Sequence, residues 1–285
     1  MPPVKITILV DNSAPLPTPL IAEYGFSALV EDEGTGVKIL FDTGTSGVAL
    51  EYNLEKLGVD PGEIDYVVLS HRHYDHTGGL KKFLKMRSGR KITVIAHERL
   101  FDPAYARIRA LGGTLRDIGI PYTRRELEDL GARFLLTRSP VEITDDIIVS
   151  GEIPRKWGPS HSWGMLRLEE DSLVEDDMMD DMALYIRTGD SLTVLTGCGH
   201  AGLENIVEHG LEVMKARRLH GIIGGLHLLG APPERPPKVV EYLKSKSPKL
   251  VAATHCTGPL IQGALLEALR GAYKLAGTGT VVRIE

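Results

Sequence analysis

Leu69-Ser70-His71-Arg72-His73-Tyr74-Asp75-His76-Thr77-Gly78-Gly79 is the stretch that decides how the chain is read. His71, His73, Asp75 and His76 bring three imidazoles and a carboxylate together within six positions. These are borderline-soft ligands suited to zinc and similar divalent ions. Ahead of them, Ile64-Asp65-Tyr66-Val67-Val68-Leu69 is apolar and β-branched, the pattern of a buried strand. Behind them, Gly78-Gly79-Leu80 opens an amphipathic helical segment that runs to Met86. The cassette therefore sits in a turn at a strand end. Alternation sends His71 and His73 to the same side, and the turn can swing Asp75 and His76 round to a second ion. A scatter of solvated surface histidines would not be flanked in this way.

Working outward towards the N-terminus, Val4 to Val10 reads as a strand and Asn12 to Pro19 as a Pro-broken loop. Phe26 to Glu31 and Val37 to Phe41 read as a hairpin that ends in Asp42-Thr43-Gly44, before a helix from Ser46 to Leu57. From that position the Asp42 carboxylate can reach the cassette's groove, or simply close an Asx-turn or cap the helix.

Towards the C-terminus, Lys91 to His97 reads as a strand, and Glu98 to Gly131 is helical in tendency, with a capping box at Thr123 and Glu126. Arg133 to Thr137 and Ile147 to Ser150 read as short strands, followed by Gly151-Glu152-Ile153-Pro154-Arg155. No period is clear from Lys156 to Asp181, where Trp157, Trp163, Met165, Met178 and Met179 mix with an acidic run. A stretch of that length and composition is expected to act as a lid over a ligand.

Three strand-then-helix units close the chain. Leu192 to Thr196 runs into Gly197-Cys198-Gly199-His200, His220 to Gly224 runs towards His227, and Leu250 to Thr254 runs into His255-Cys256-Thr257-Gly258. Such units define an α/β layered protein, and each delivers a histidine to the carboxyl end of a sheet, where α/β sheets place their ligands. His200 and His255 are the best candidates to meet the cassette at a shared groove. His227 can ligate a metal, bind an oxyanion or act in acid–base catalysis, and Cys198, two residues before His200, can replace or accompany that imidazole as a thiolate.

The 285 residues carry a net charge of −5, with basic residues dispersed, so a nucleic-acid partner is not expected. No apolar run is long enough to span a bilayer, and Met1-Pro2-Pro3 leads straight into a strand, so a cytoplasmic protein without a membrane partner is expected. Cys198 and Cys256 are the only cysteines, too few for a disulfide framework. The only side-chain amides are Asn12, Asn53, Asn205 and Gln262, a scarcity that points to a thermophilic source.

Ser70 to Gly79, with Phe41-Asp42-Thr43-Gly44 before it, resembles the metallo-β-lactamase superfamily, and the resemblance covers essentially the whole chain. It implies one domain, residues 1–285, folded as an αββα sandwich with two sheets face to face and helices outside. It implies two divalent ions, zinc first and manganese, magnesium or iron as alternatives. His71 and His73 would bind one ion and Asp75 and His76 the other, with Asp42 orienting the cassette and His255 matching the last metal histidine.

Two motifs depart from the common pattern. Gly151-Glu152 stands where many members have Gly-His, and Thr196-Gly197-Cys198-Gly199-His200 stands where they have Thr-Gly-Asp. Glu152, Cys198 and His200 are thus the candidates to complete the coordination, with His200 favoured.

Gly224-Gly225-Leu226-His227-Leu228 and His255-Cys256-Thr257-Gly258 further resemble one subgroup. It includes an archaeal enzyme that joins a dihydropterin methyl diphosphate to a ribofuranosylaminobenzene phosphate in the methanopterin pathway, and many predicted metal-dependent hydrolases. Hydrolysis of a small phosphate- or ester-containing substrate is the default expectation, with Asp75 and His227 as catalytic groups. The pterin-transferring synthase and a metal-dependent small-molecule sensor without turnover are the alternatives. A redox di-iron protein is disfavoured, because such members usually carry Glu where this chain has His73.

Overall fold

The computed structural model describes residues 3–15, 17–108 and 112–285. Residues 1 and 2, residue 16 of the Pro-broken loop and residues 109–111 of the stretch expected to be helical lie outside it.

Strands β1 (Val4–Val10), β2 (Ser27–Asp32) and β3 (Lys38–Phe41) lead into helix α1 (Val48–Leu57). β4 (Tyr66–Val68) enters the cassette, which ends as one helical turn, α2 (Tyr74–Thr77), followed by α3 (Leu80–Met86). β5 (Ile92–Ala96), β6 (Ala104–Ile108), β7 (Thr114–Asp117), α4 (Arg124–Asp129) and β8 (Ala132–Leu136) complete the first half. β9 (Val141–Thr144), β10 (Ile147–Val149), β11 (Met165–Glu169), β12 (Ser172–Glu175) and β13 (Ala183–Thr188) come next. The chain closes with β14 (Ser191–Thr196), α5 (Leu203–Met214), β15 (Arg218–Gly225), α6 (Arg235–Lys246), β16 (Leu250–Thr254), α7 (Pro259–Ala268) and β17 (Val281–Ile284).

One sheet has the order β17-β1-β2-β3-β4-β5-β8, and a second has the order β16-β15-β14-β13-β10-β9. Alternation along each strand makes them the middle of a sandwich. Ile6, Ile8, Val30, Phe41, Val68 and Ile95 of the first sheet pack against Val149, Leu184, Ile186, Leu195, Ile223 and Ala252 of the second in a shared core. The residues between them face outward. Leu29, Leu40, Val67 and Val94 cover α1 and α3 through Leu50, Leu54, Phe83 and Leu84. Tyr185, Val194, Ile222 and Val251 cover α5 to α7 through Ile206, Val239, Leu243 and Leu265. This is the αββα sandwich. None of the described helices is long and apolar enough to cross a membrane.

The loops that matter leave parallel strands. β3, β4 and β5 run parallel, as do β14, β15 and β16. The carboxyl ends of β3, β4, β14, β15 and β16 therefore release Asp42, the cassette, Cys198, His227 and His255 at one edge of the sandwich.

Two expectations are corrected. Residues 98–131 are not mainly helical: β6 and β7 form an antiparallel hairpin there, and among the described residues only Arg124–Asp129 is an α-helix, with the Thr123–Glu126 capping box in place. Residues 156–181 are not aperiodic, because β11 and β12 pair as a second hairpin. β11 pairs with β6, giving a four-stranded sheet in the order β12-β11-β6-β7. With Ala104, Ala106 and Arg107 among its five residues, β6 has a local preference for helix, and pairing with β11, distant in sequence, overrides it.

Candidate metal centre

The cassette is set by close backbone docking. A Cβ on Gly78 would stand 2.0 Å from the Thr45 carbonyl oxygen, and one on Gly79 2.0 Å from that of Thr43. Only glycine lets the start of α3 lie against the loop that carries Asp42. Asp42, His227 and His255 all adopt left-handed backbone conformations, at φ 57°, 42° and 49°. Such strain in non-glycine residues collects at functional sites.

Asp42, fully buried, organises two imidazoles at once. Oδ2 accepts from Nδ1 of His76 and from Oγ of Ser70, both at 2.7 Å, and Oδ1 accepts from the Ser70 amide at 2.7 Å. Ser70 Oγ in turn lies 2.9 Å from Nδ1 of His71. With Nδ1 of each committed, His71 and His76 turn Nε2 towards the other candidate donors, the orientation in which imidazole binds metal.

His200 and His255 are oriented in the same sense. Nδ1 of His200 donates to the His161 carbonyl at 2.8 Å, and Nδ1 of His255 donates to Oδ1 of Asn12 at 2.9 Å. Nε2 of each is buried without a hydrogen-bond partner. Buried unpaired nitrogens are costly, and that of His200 lies among atoms that could hold a metal, while that of His255 lies 3.4 Å from Asp75 Oδ2.

Two groups of donors result. Asp75, His76, Cys198 and His255 bring their ligand atoms within 4.8 Å of one another, and so do His71, Cys198 and His200. His73 joins the second group through His71, its Nδ1 lying 3.1 Å from Nε2 of His71. Cys198 Sγ belongs to both groups and lies 3.1 Å from Nε2 of His76. A third group adds Cys256 and His227 to Cys198. Glu152 is not brought to these donors: its carboxylate accepts from Nη2 of Arg138 at 2.7 Å and lies 3.2 Å from Nε2 of His97.

Several supporting residues carried no signal in the sequence. Asp11 accepts from the His255 amide at 3.0 Å. Arg72, only 2 % exposed, points away from the histidines on either side of it and pairs with Asp176 and Asp180. Asp180 also accepts from the Arg72 amide at 3.0 Å. The acidic run was visible, but its partner 108 residues away was not. Arg72→Met is expected to leave two buried carboxylates uncompensated and to cost about 3–5 kcal/mol, read by denaturant unfolding of the metal-free protein. A cost below about 1 kcal/mol would show that the pair does not hold the cassette.

The charges are arranged to favour a cation. Burial raises the Asp75 carboxyl, but His76 and His255 outweigh it and hold the group below the ordinary range. Against the desolvation that lowers it, Cys256, Asp75 and Asp11 hold His255 up at about 9. Burial pushes His73 down to about 3, and burial with neighbouring imidazoles pushes His71 and His200 well down.

In metal-free protein the lowered imidazoles make stability fall with acid. Below about pH 6.5, the ordinary histidine value, the unfolded chain binds protons that buried His71, His73 and His200 refuse. The thermal midpoint of chelator-treated protein is therefore expected to drop as the pH is lowered below about 6.5, and a midpoint that does not change there would contradict these assignments.

Above the donors lies a cavity of about 200 Å³. Its floor is formed by His73, Asp75, Cys198, His200, His227, His255 and Cys256, and its walls by Tyr24, Tyr74, Ala106, Ile118 and Met165. Met165 belongs to β11, so part of the 156–181 segment forms a wall of the site. Among the described residues, the lining includes no lysine or arginine.

The metallo-beta-lactamase superfamily profile matches residues 20–168, more than half of the chain, and the chain belongs to that superfamily, whose members typically bind divalent metals. Among individual proteins, it is 30 % identical to the 7,8-dihydropterin-6-methyl-4-(beta-D-ribofuranosyl)-aminobenzene-5'-phosphate synthase of Methanocaldococcus jannaschii, over 98 % of this chain and 96 % of that one. A second, uncharacterised protein of the same organism is 35 % identical over 89 % of this chain and 90 % of its own length. A crystal structure of a metal-dependent hydrolase of the β-lactamase superfamily superposes with a TM-score of 0.79 at 26 % identity, covering 98 % of both chains.

Proposed function

We propose that this chain is a binuclear metal-dependent hydrolase acting on a small phosphate- or ester-containing molecule. The observation that carries the reading is the convergence of two donor groups on the one sulfur of Cys198, with Nε2 of His200 buried and unpartnered and Nε2 of His255 buried 3.4 Å from Asp75 Oδ2. The mixed imidazole, carboxylate and thiolate set suits zinc, with manganese, magnesium or iron as harder alternatives. Two ions held there would lower the pKa of a water to near neutrality and offset negative charge on the substrate.

The chain's own residues do the rest. Asp75, kept ionised by His76 and His255, stands on the cavity floor, placed to accept a proton. His227 stands on the floor of the same cavity with Nδ1 buried and unpartnered, placed to hand a proton to a leaving group. Tyr24, Tyr74, Ile118 and Met165 wall the organic part of the substrate and exclude bulk water. Among the described lining residues none is a lysine or arginine, so bound metals would offset the charge of an anionic substrate group.

A second reading is supported by the full-length similarity to the M. jannaschii synthase. There the same site would hold a dihydropterin methyl diphosphate, and the amine-type partner, rather than water, would supply the attacking atom. The test is turnover of an aryl phosphodiester and an aryl ester by the zinc-loaded protein, with and without chelator, beside an assay with the pterin pair. Chelator-sensitive hydrolysis supports the hydrolase, and turnover of the pterin pair alone supports the synthase. Metal binding without turnover of any of them would favour a sensor and overturn both.

A further inference from the structure

Behind His200 stands a second row of side chains that the proposed chemistry does not use. His161, fully buried, pairs with His200 along the backbone: its amide donates to the His200 carbonyl at 2.7 Å, and its own carbonyl accepts Nδ1–H of His200 at 2.8 Å. The His161 ring is held from both ends. Arg235 donates Nε–H to Nε2 at 2.8 Å, and Nδ1 donates to the Leu226 carbonyl at 2.8 Å. Because guanidinium can only donate, His161 must be neutral with its proton on Nδ1.

Arg235, 6 % exposed at the start of α6, pairs through both terminal nitrogens with Glu204 in the first turn of α5. Trp163 stacks on the His161 ring, with centroids 5.3 Å apart, and donates Nε1–H to the His227 carbonyl at 3.0 Å. One histidine thus ties the segment before β11 to the loops after both β14 and β15. A buried ion pair carries a desolvation cost that an apolar staple would avoid. What it provides here is a fixed donor aimed at one nitrogen.

We propose that His161, locked by Arg235 and Glu204, is a positioning residue that fixes His200 with its Nε2 lone pair towards the metal donors, so that metal affinity on that side is set from outside the ligand set. The inference rests on the two-ion reading. It is tested by chelator-competition titration of zinc into the wild-type chain, His161→Ala and Arg235→Lys, with the visible spectrum of each cobalt-substituted protein. In His161→Ala one binding step should weaken about 10–100-fold and the cobalt bands shift, while the other step stays within about twofold. Arg235→Lys keeps the charge but loses the planar fork, and should weaken the same step to a smaller extent.

Wild-type affinities and cobalt spectrum in His161→Ala, with only the thermal midpoint lowered, would reduce His161 to a structural staple and overturn the proposal. If His161→Ala does not fold, Arg235→Lys decides on the same criterion. A wild-type chain that binds a single ion overturns the two-ion reading alone, and the variants then decide by weakening or sparing that one step.

Discussion

His255→Ala and His71→Ala are expected to lose bound metal and activity together, by more than the roughly 10–100-fold that removal of a merely supporting group costs. Each takes away an imidazole whose other nitrogen is already committed, to Asn12 in one case and towards Ser70 in the other. In His255→Ala, Asp75 Oδ2 loses the nitrogen 3.4 Å from it, and the group with His76 and Cys198 is reduced to three donors. In His71→Ala, the group with Cys198 and His200 loses the nitrogen that also links it to His73. Metal analysis of purified, folded variants beside their turnover checks the expectation. Full activity with full metal content in either would remove that residue from the centre.

Cys198→Ser is expected to have the next largest effect, and a different signature. The Cys198 sulfur is the one atom common to every donor group, so its loss weakens both sides of the centre rather than one. A serine hydroxyl is a harder and far less acidic donor than a thiol, so affinity for zinc should fall well beyond that for magnesium or manganese. In cobalt-substituted protein the sulfur-to-metal charge-transfer band should disappear in Cys198→Ser and persist in Cys256→Ser. Persistence of the band in Cys198→Ser would place the bound sulfur at Cys256 instead.

The cassette was legible because its information is local: ligand types, spacing and flanking periodicity all lie within residues 64–86. The later histidines were legible for a related reason, since a strand followed by a helix tells where the loop between them must emerge. Cys198 and Glu152 could not be ranked by the same means. Local sequence puts both at strand ends, and what separates them is long-range: Glu152 finds His97 and Arg138, whereas Cys198 faces His76 across the sandwich.

His161 offered no local context at all. Its surroundings come from α5, α6 and the loop after β15, which meet only in the folded chain. The hairpins β6–β7 and β11–β12 were hidden for the opposite reason, because their local composition favours other states and only their mutual pairing makes them strands.

The central claim is a pair of ions sharing one sulfur, and a crystal structure of the zinc-loaded protein with anomalous scattering at the metal edge tests it most directly. Two peaks about 3.5–4 Å apart are predicted, one against His71, His73 and His200, the other against Asp75, His76 and His255, and both touching Cys198 Sγ. A single peak, or two peaks with Cys198 in contact with neither, would contradict it.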